Sequence, residues 1–475
     1  MSSSYQNHPE SWSLPANGRV VVVGASLAGL RTVEALRTTG FSGPVTLLGD
    51  EHVKPYDRPP LSKQFLLGSW DHDRIELRND GELAALSIDL RLGVFVSGVD
   101  TQAQTITTLV DGVASSLPYD ALIIASGVRA RSLSHTLVDP GIQKPTVRTI
   151  RTRTDSEALQ PLLVEGARVV IIGAGFIGAE VAAAASTKGA TVTIVEQLPI
   201  ALARALGDEM GAACGSLHAR HGVTLRCGVE VVAITEGCVF LGDGSTLAAD
   251  VVVAGIGTIP NTEWLIDSGI DITNGVLVDG YCRAISTAGT VLDGVFAVGD
   301  VARFPLPWPH EPHEPHEQQT EKPTEVAPFT EDPSHFEPSA TLASVKEPLQ
   351  QELVGARSLE NSDLVRIEHW TNAAEMANHV AGVLHGDWVP YTPVPYFWSD
   401  QYNHKIQFLG RAGQYDEVRI VAGSVEDGAW LALYRIGDRL SAALGVSKVR
   451  ALAPYRMLLE KGCSWDEALD AAPHA

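Results

Sequence analysis

"RVVIIGAGFIGAEVAAAASTKGATVTIVE", residues 168–196, is the stretch that decides the fold. An apolar, β-branched run leads into Gly173, and Gly175 and Gly178 follow with the spacing G-x-G-x-x-G. An alanine-rich helical segment and a second apolar run ending at Glu196 complete a strand–turn–helix–strand unit. In such a unit the first glycine allows the tight turn, and the second lets the backbone approach a pyrophosphate at the helix N-terminus. The third lets helix and strand pack closely. Glu196 lies 23 positions after Gly173, where a carboxylate accepts hydrogen bonds from an adenosine ribose and repels a 2′-phosphate. The expected ligand is NADH in preference to NADPH.

An earlier stretch, "VVVVGASLAGLRTVEAL" at 20–36, repeats the pattern with one change: Gly24 and Gly29 are in place, but the middle glycine is Ser26. Serine is small enough to let a phosphate come near, and its hydroxyl can donate a hydrogen bond or hold a water. Asp50 closes the second strand of this unit, 26 positions after Gly24. Both units therefore read as dinucleotide sites. Two such sites in one chain suggest a flavin beside a nicotinamide, because electrons from NADH need an acceptor. In "GVFAVGDVARF" (294–304) a buried strand ends in Gly-Asp, which aims Asp300 at a polar chain such as a ribityl group.

The 475 residues allow two or three domains. No uncharged apolar run approaches the roughly 18 residues of a membrane helix. The N-terminal stretch lacks the charge and apolar core of a signal peptide, so residues 1–17 are expected to form a loose polar tail. The net charge of −22 disfavours nucleic acid and anionic membranes as partners. The five cysteines are scattered, none precedes Cys214, and no C-x-x-C occurs. This points to a reducing, cytoplasmic setting and against a zinc site or a thiol-based half-reaction in the first unit.

The expected class is α/β, with two Rossmann-like dinucleotide-binding domains (FAD and NAD) and a C-terminal α+β domain. The first domain is expected in pieces, at 18–134, 263–304 and 366–387, around a second at 135–262, with the C-terminal domain at 388–475. Residues 305–365 break the pattern: they are rich in Pro, Glu and His and hold twelve acidic against three basic residues. They read as a disordered insertion. Its "HEPHEPHE" run places His310, His313 and His316 three apart, an extended arrangement and not a metal cage, so no metal is assigned.

"GASLAGLRTVEALR", "YDRPPLSK", "ASGVRARSL", "GAGFIGAEVAA", "VFAVGDVARF", "EHWTNA" and "PYFWSDQY" occur in this order. The set resembles the FAD-dependent ferredoxin reductases that serve cytochrome P450s and Rieske dioxygenases, the putidaredoxin-reductase-like group. The resemblance spans about residues 18–304 and 366–475 and implies a glutathione-reductase-like architecture. It also implies transfer of electrons from NADH through FAD to a [2Fe–2S] ferredoxin.

Roles follow from the same resemblance. Ala28 and its neighbours would touch the FAD pyrophosphate, Asp50 the adenine ribose, Val96 the adenine and Arg129 the pyrophosphate. Asp300 would bind the ribityl chain. Lys63, Trp370 and Trp398 would lie against the isoalloxazine, and Glu180 would face the nicotinamide pocket and pair with Lys63. Ile177, in the second glycine turn, joins the nicotinamide side. Taken singly, these residues also admit ordinary readings: a solvated lysine, core tryptophans, a helix-surface acid. A rubredoxin reductase, and a non-enzymatic flavoprotein that responds to NADH by changing shape, stay open as alternatives. Because ferredoxins are acidic and this chain is too, docking would need local bases. Arg58, Arg74, Arg303 and the stretch 129–153, with Arg129, Arg131, Lys144, Arg148, Arg151 and Arg153, are the candidates.

Overall fold

The computed structural model describes residues 12–134, 137–138, 146–306 and 364–473. Val20–Val23, buried on every side, lies at the middle of a six-stranded sheet. It pairs in parallel with Val45–Gly49 on one side and Ala121–Ile124 on the other. Four consecutive buried valines suit such a strand, since both of its faces are covered. Asp89–Leu92 and Val291–Ala297 extend the parallel set, and Arg283–Ile285 closes one edge antiparallel. The helix Leu27–Thr38 packs against Trp370–Leu384, a later helix that shares the same core.

The second unit repeats this design. Arg168–Ile172 lies between Thr191–Glu196 and Val251–Ala254 in a five-stranded sheet that is parallel throughout. The echo goes beyond the glycine turns. Each unit carries a three-stranded antiparallel meander: Phe95–Asp100, Thr105–Val110 and Val113–Pro118 in the first, and Val231–Thr235, Cys238–Leu241 and Thr246–Ala248 in the second. The chain crosses between the units twice, and the crossings, Val128–Ala130 and Thr258–Pro260, pair with each other as an antiparallel ribbon. Thr258 Oγ1 donates to Glu368 Oε1 at 2.6 Å, tying that ribbon to the first unit.

The last unit is a five-stranded antiparallel sheet in the order Tyr396–Gln401, His404–Gly410, Arg439–Val446, Ala429–Ile436, Glu417–Ser424. One face packs on the C-terminal helices. The other shares a core with the second unit's helix Ala203–Arg220, where Trp430 and Tyr434 meet Leu206, Met210 and Leu217. Gly207 kinks that helix at φ +73°, and a Cβ there would lie 2.2 Å from the Tyr415 ring. The helix end is latched as well. His218 Nδ1 is 2.7 Å from the Tyr402 hydroxyl, and the His221 ring stacks on Tyr402 at 4.0 Å.

Three expected boundaries move. Trp12 is half-buried against Phe296 at 5.7 Å, so the described end of the 1–17 tail belongs to the first core. Pro305 and Leu364–Val365, expected within the insertion, form paired strands, Phe304 opposite Val365 and Pro305 opposite Leu364. Residues 307–363, with the three histidines, lie outside the described residues. Trp388 and Tyr391 pack on the first core, which places the start of the C-terminal unit nearer 396 than 388. Among the described residues no helix is long and apolar enough to cross a membrane.

Trp12→Ala should lower unfolding stability by about 1–2 kcal/mol through lost apolar burial, read from urea midpoints. A pH dependence follows from the latch. Burial, with a smaller contribution from His221, pushes the His218 imidazole down to about 4. As pH falls below the ordinary 6.5, the unfolded chain takes up this proton first, so His218's contribution is complete above about 6.5 and is lost toward 4. His218→Gln should make the fall of thermal midpoint over that range shallower.

Candidate active site

The first glycine turn and the helix that follows the second one border a common cleft, and the geometry of the turns explains which positions must be glycine. Gly24 has φ +122°, and a Cβ on it would lie 2.1 Å from the Ala125 carbonyl oxygen; a Cβ on Gly29 would lie 2.0 Å from the Gly24 carbonyl oxygen. In the second turn a Cβ on Gly173 (φ +102°) would lie 2.3 Å from the Gly255 carbonyl oxygen and one on Gly178 2.2 Å from the Gly173 carbonyl oxygen. The middle position differs, for a Cβ on Gly175 would meet nothing within 4 Å. Ser26 occupies the matching place in the first turn, so serine fits there without steric cost. Its Oγ accepts from Arg58 Nε at 3.3 Å. Neither Ser26 nor Gly175 caps its twelve-residue helix with a side chain, which leaves first-turn N–H groups available to an anion.

The first turn opens into a cavity of about 890 Å³. Of the residues expected at the site, Gly24, Ser26, Ala28, Asp50, Lys63, Val96, Arg129, Ile177, Glu180, Asp300, Trp370 and Trp398 line it. Gly29, Gly173, Gly175, Gly178 and Glu196 do not. Gly29 lies behind the turn it allows, and the others belong to the second turn. There Glu196 Oε2 accepts from the Ala174 N–H and Oε1 from the Leu198 N–H, both at 2.8 Å. The carboxylate therefore braces the turn whose ligand it was expected to meet.

At the cleft's centre Lys63 and Glu180 are 9% and 6% exposed, and Lys63 Nζ lies 3.0 Å from Glu180 Oε1. Neither is a surface side chain. Ser62 Oγ donates to Glu180 Oε2 at 2.5 Å, and Ser399 Oγ donates to Oε1 at 2.7 Å. The prolines of "RPPLS" make this possible. They build the short 3-10 turn Pro59–Ser62, which buries Ser62 and sends Lys63 inward. Trp370 Nε1 donates to Asp57 Oδ1 at 2.8 Å, and burial raises that carboxyl. The Trp398 ring stands edge-on to Trp370 at 6.1 Å, so the tryptophans form one wall. His369, at the N-cap of the helix carrying Trp370, also lines the cleft; burial pushes its imidazole down to about 4, and its Nδ1 has no partner.

Several expected docking bases are committed elsewhere. Arg58 is inside the cleft, donating to Ser26, to the Tyr56 hydroxyl, to the Arg151 carbonyl and to Glu51 Oε1. Arg303 faces Asp271 at 3.4 Å, and Arg153 faces Glu157 at 3.2 Å. Arg129 is paired with Glu263 and donates to Asn261 Oδ1 at 3.1 Å. Arg74 lies over the Trp70 ring at 4.4 Å and stays at the surface. Lys144 lies outside the described residues.

Arg151 is the important residue that sequence reasoning placed wrongly. It lines the cleft, pairs with Asp300 Oδ2 at 2.8 Å and donates to the Val128 carbonyl at 3.0 Å, joining the Gly-Asp turn to the ribbon. Its position among several basic residues at 129–153 hid this, because only the fold brings it 149 positions forward to Asp300. Ser62, Tyr56 and Ser399 carried no expected role either, although all three lie inside the quoted motifs "YDRPPLSK" and "PYFWSDQY". No cysteine lines the cavity. Burial pushes the Cys214 thiol up to about 12 and raises Cys282 well above its ordinary value, so neither supplies a thiolate.

Residues 18–327 match the pyridine nucleotide-disulphide oxidoreductase family, and residues 396–475 match a reductase C-terminal domain. The chain is 33% identical to rhodocoxin reductase of Rhodococcus erythropolis, over 93% of this chain and 89% of that one. It is likewise 33% identical to the ferredoxin–NAD(+) reductase component of the anthranilate 1,2-dioxygenase system of Burkholderia cepacia, over 95% and 97%. Among solved structures it resembles putidaredoxin reductase in its covalent complex with putidaredoxin, with a TM-score of 0.74 and 29% identity over 94% of both chains.

Glu180→Ala should cost about 3–5 kcal/mol, since it strands the Lys63 charge in a site nearly closed to water. Lys63→Met combined with Glu180→Leu should cost much less than Glu180→Ala alone, because no charge is left unpaired. A urea-denaturation double-mutant cycle measures both.

Proposed function

The chain belongs to the pyridine nucleotide-disulphide oxidoreductase family, and from that premise we propose that it takes electrons from NADH and passes them singly to a [2Fe–2S] ferredoxin serving a cytochrome P450 or a Rieske oxygenase. FAD supplies the chemistry that joins a two-electron donor to a one-electron acceptor. The observation that carries this reading is the cleft itself: a roomy cavity at a cradled glycine turn with a buried lysine at its centre and no thiol among its lining residues. Those features suit a flavin. The Gly24–Ser26 turn and the uncapped start of Leu27–Thr38 offer N–H groups to a pyrophosphate, and Arg58 adds a positive charge beside them. Asp50 faces the cavity at the strand end, where a ribose would be met. Asp300, held by Arg151, faces it from the Gly-Asp turn.

Each residue then has a physical task. Lys63 keeps a positive charge in the cleft where negative charge arrives during hydride transfer, and Glu180 keeps that lysine in place. Trp370 and Trp398 exclude water from one side. Ile177, exposed at the start of Phe176–Thr187, and Phe176, whose ring is 4.6 Å from Phe397, border the space between the two turns where a nicotinamide would enter. Glu196 adds negative charge beside the second turn and so disfavours an extra phosphate there. Hydride transfer of this kind depends on orientation more than on acid–base groups, and no proton relay is assigned.

Stopped-flow measurement with a panel of purified [2Fe–2S] ferredoxins is the test. The expected outcome is a yellow protein bleached anaerobically by NADH and reoxidised by at least one of these carriers. A protein that stays colourless after reconstitution, or is never bleached, overturns the reading. Discrimination for NADH over NADPH should be at least about ten-fold in kcat/KM, and Glu196→Ser should narrow it.

A further inference from the structure

The strand Tyr396–Gln401 reaches the cleft from the C-terminal sheet and is gripped from both nucleotide units. Thr371 Oγ1 donates to the Tyr396 carbonyl at 2.6 Å, Phe397 packs on Phe176, and Tyr402, just beyond the strand, is latched by His218 and His221. Between these anchors Ser399 is fully buried. Its Oγ donates to Glu180 Oε1 at 2.7 Å and accepts from Gln401 Nε2 at 3.3 Å. Glu180 thus has three partners, but Ser62 and Lys63 are adjacent in sequence and belong to one turn. Ser399 approaches from a different element, so the pair of contacts fixes the carboxylate in a way that one turn alone does not.

We propose that Ser399, backed by Gln401, is a positioning residue for hydride acceptance. It holds the Glu180 carboxylate, and through it the Lys63 ammonium, at the point of the cleft where negative charge arrives. The proposal rests on the flavoprotein reading above. Without the hydroxyl, the Glu180 carboxylate loses one of its hydrogen bonds in a site of low polarity, so its negative field in the cleft grows and it draws Lys63 closer. Bound flavin then becomes harder to reduce. Ser399 is not among the residues that line the cavity, so flavin retention should be unaffected.

The test uses purified holoenzyme carrying Ser399→Ala, Ser399→Thr or Gln401→Met. Flavin stoichiometry, the flavin midpoint potential against a reference dye, and the anaerobic rate of reduction by NADH are measured for each. Ser399→Ala should keep a full flavin complement, show a more negative midpoint and be reduced about ten-fold more slowly, the size expected for one hydrogen bond to a charged group. Ser399→Thr, which keeps the hydroxyl, should stay near wild type, and Gln401→Met should move both quantities in the same direction by less. Flavin-replete Ser399→Ala with wild-type potential and rate overturns the proposal. If that variant does not fold, unchanged potential and rate in Gln401→Met overturn it. A wild-type protein that NADH never bleaches defeats the underlying flavoprotein reading instead.

Discussion

Bringing Lys63 and Glu180 together out of water is the interaction on which the rest of the cleft depends. Burying two such charges is costly, and their attraction offsets the cost only when geometry is good and the remaining lone pairs find donors. Here the 3.0 Å contact is supplemented by Ser62 and Ser399. Those four residues come from the proline turn of the first unit, the helix Phe176–Thr187 of the second and a strand of the C-terminal sheet. The pair is satisfied only when all three are docked, so the cleft and the domain arrangement are one requirement.

The glycine turns show how one backbone shape serves two purposes. In both, the first and third glycines are demanded by carbonyl oxygens about 2 Å from where a Cβ would sit, while the middle position of the second turn, Gly175, faces open space. Surroundings then set the electrostatics. The first turn has the Arg58 guanidinium against Ser26, and the second has the Glu196 carboxylate on the Ala174 N–H. A cation beside one turn and an anion beside the other give similar helix N-termini different tolerance for phosphate.

Arginines illustrate why charge read along a chain misleads. The run 129–153 looks like a basic surface, yet Arg129, Arg151 and Arg153 each face a carboxylate. Arg58 and Arg303 are likewise engaged. The arginines that organise the cleft do so partly through partners distant in sequence, such as Asp300 for Arg151 and the Arg151 carbonyl for Arg58. An acidic carrier protein meets fewer free bases than the sequence suggests, with Arg74 among those left at the surface.

Much was legible from residues alone because glycine turns and buried valine runs act locally. A strand entering Gly173 or Gly24 has one way to turn, and an acid at the end of the next strand falls beside that turn whatever else the chain does. The placement of Lys63 and Glu180 in one site followed from motif resemblance, and their burial did not. What only the tertiary structure decided is which polar groups meet: Ser399 with Glu180, Arg151 with Asp300, Tyr402 with His218, and Trp12 with the first core. The reason is distance along the chain. Local backbone preference carries no information about partners more than a hundred positions away, and a buried charge reveals its partner only after the surfaces around it have closed.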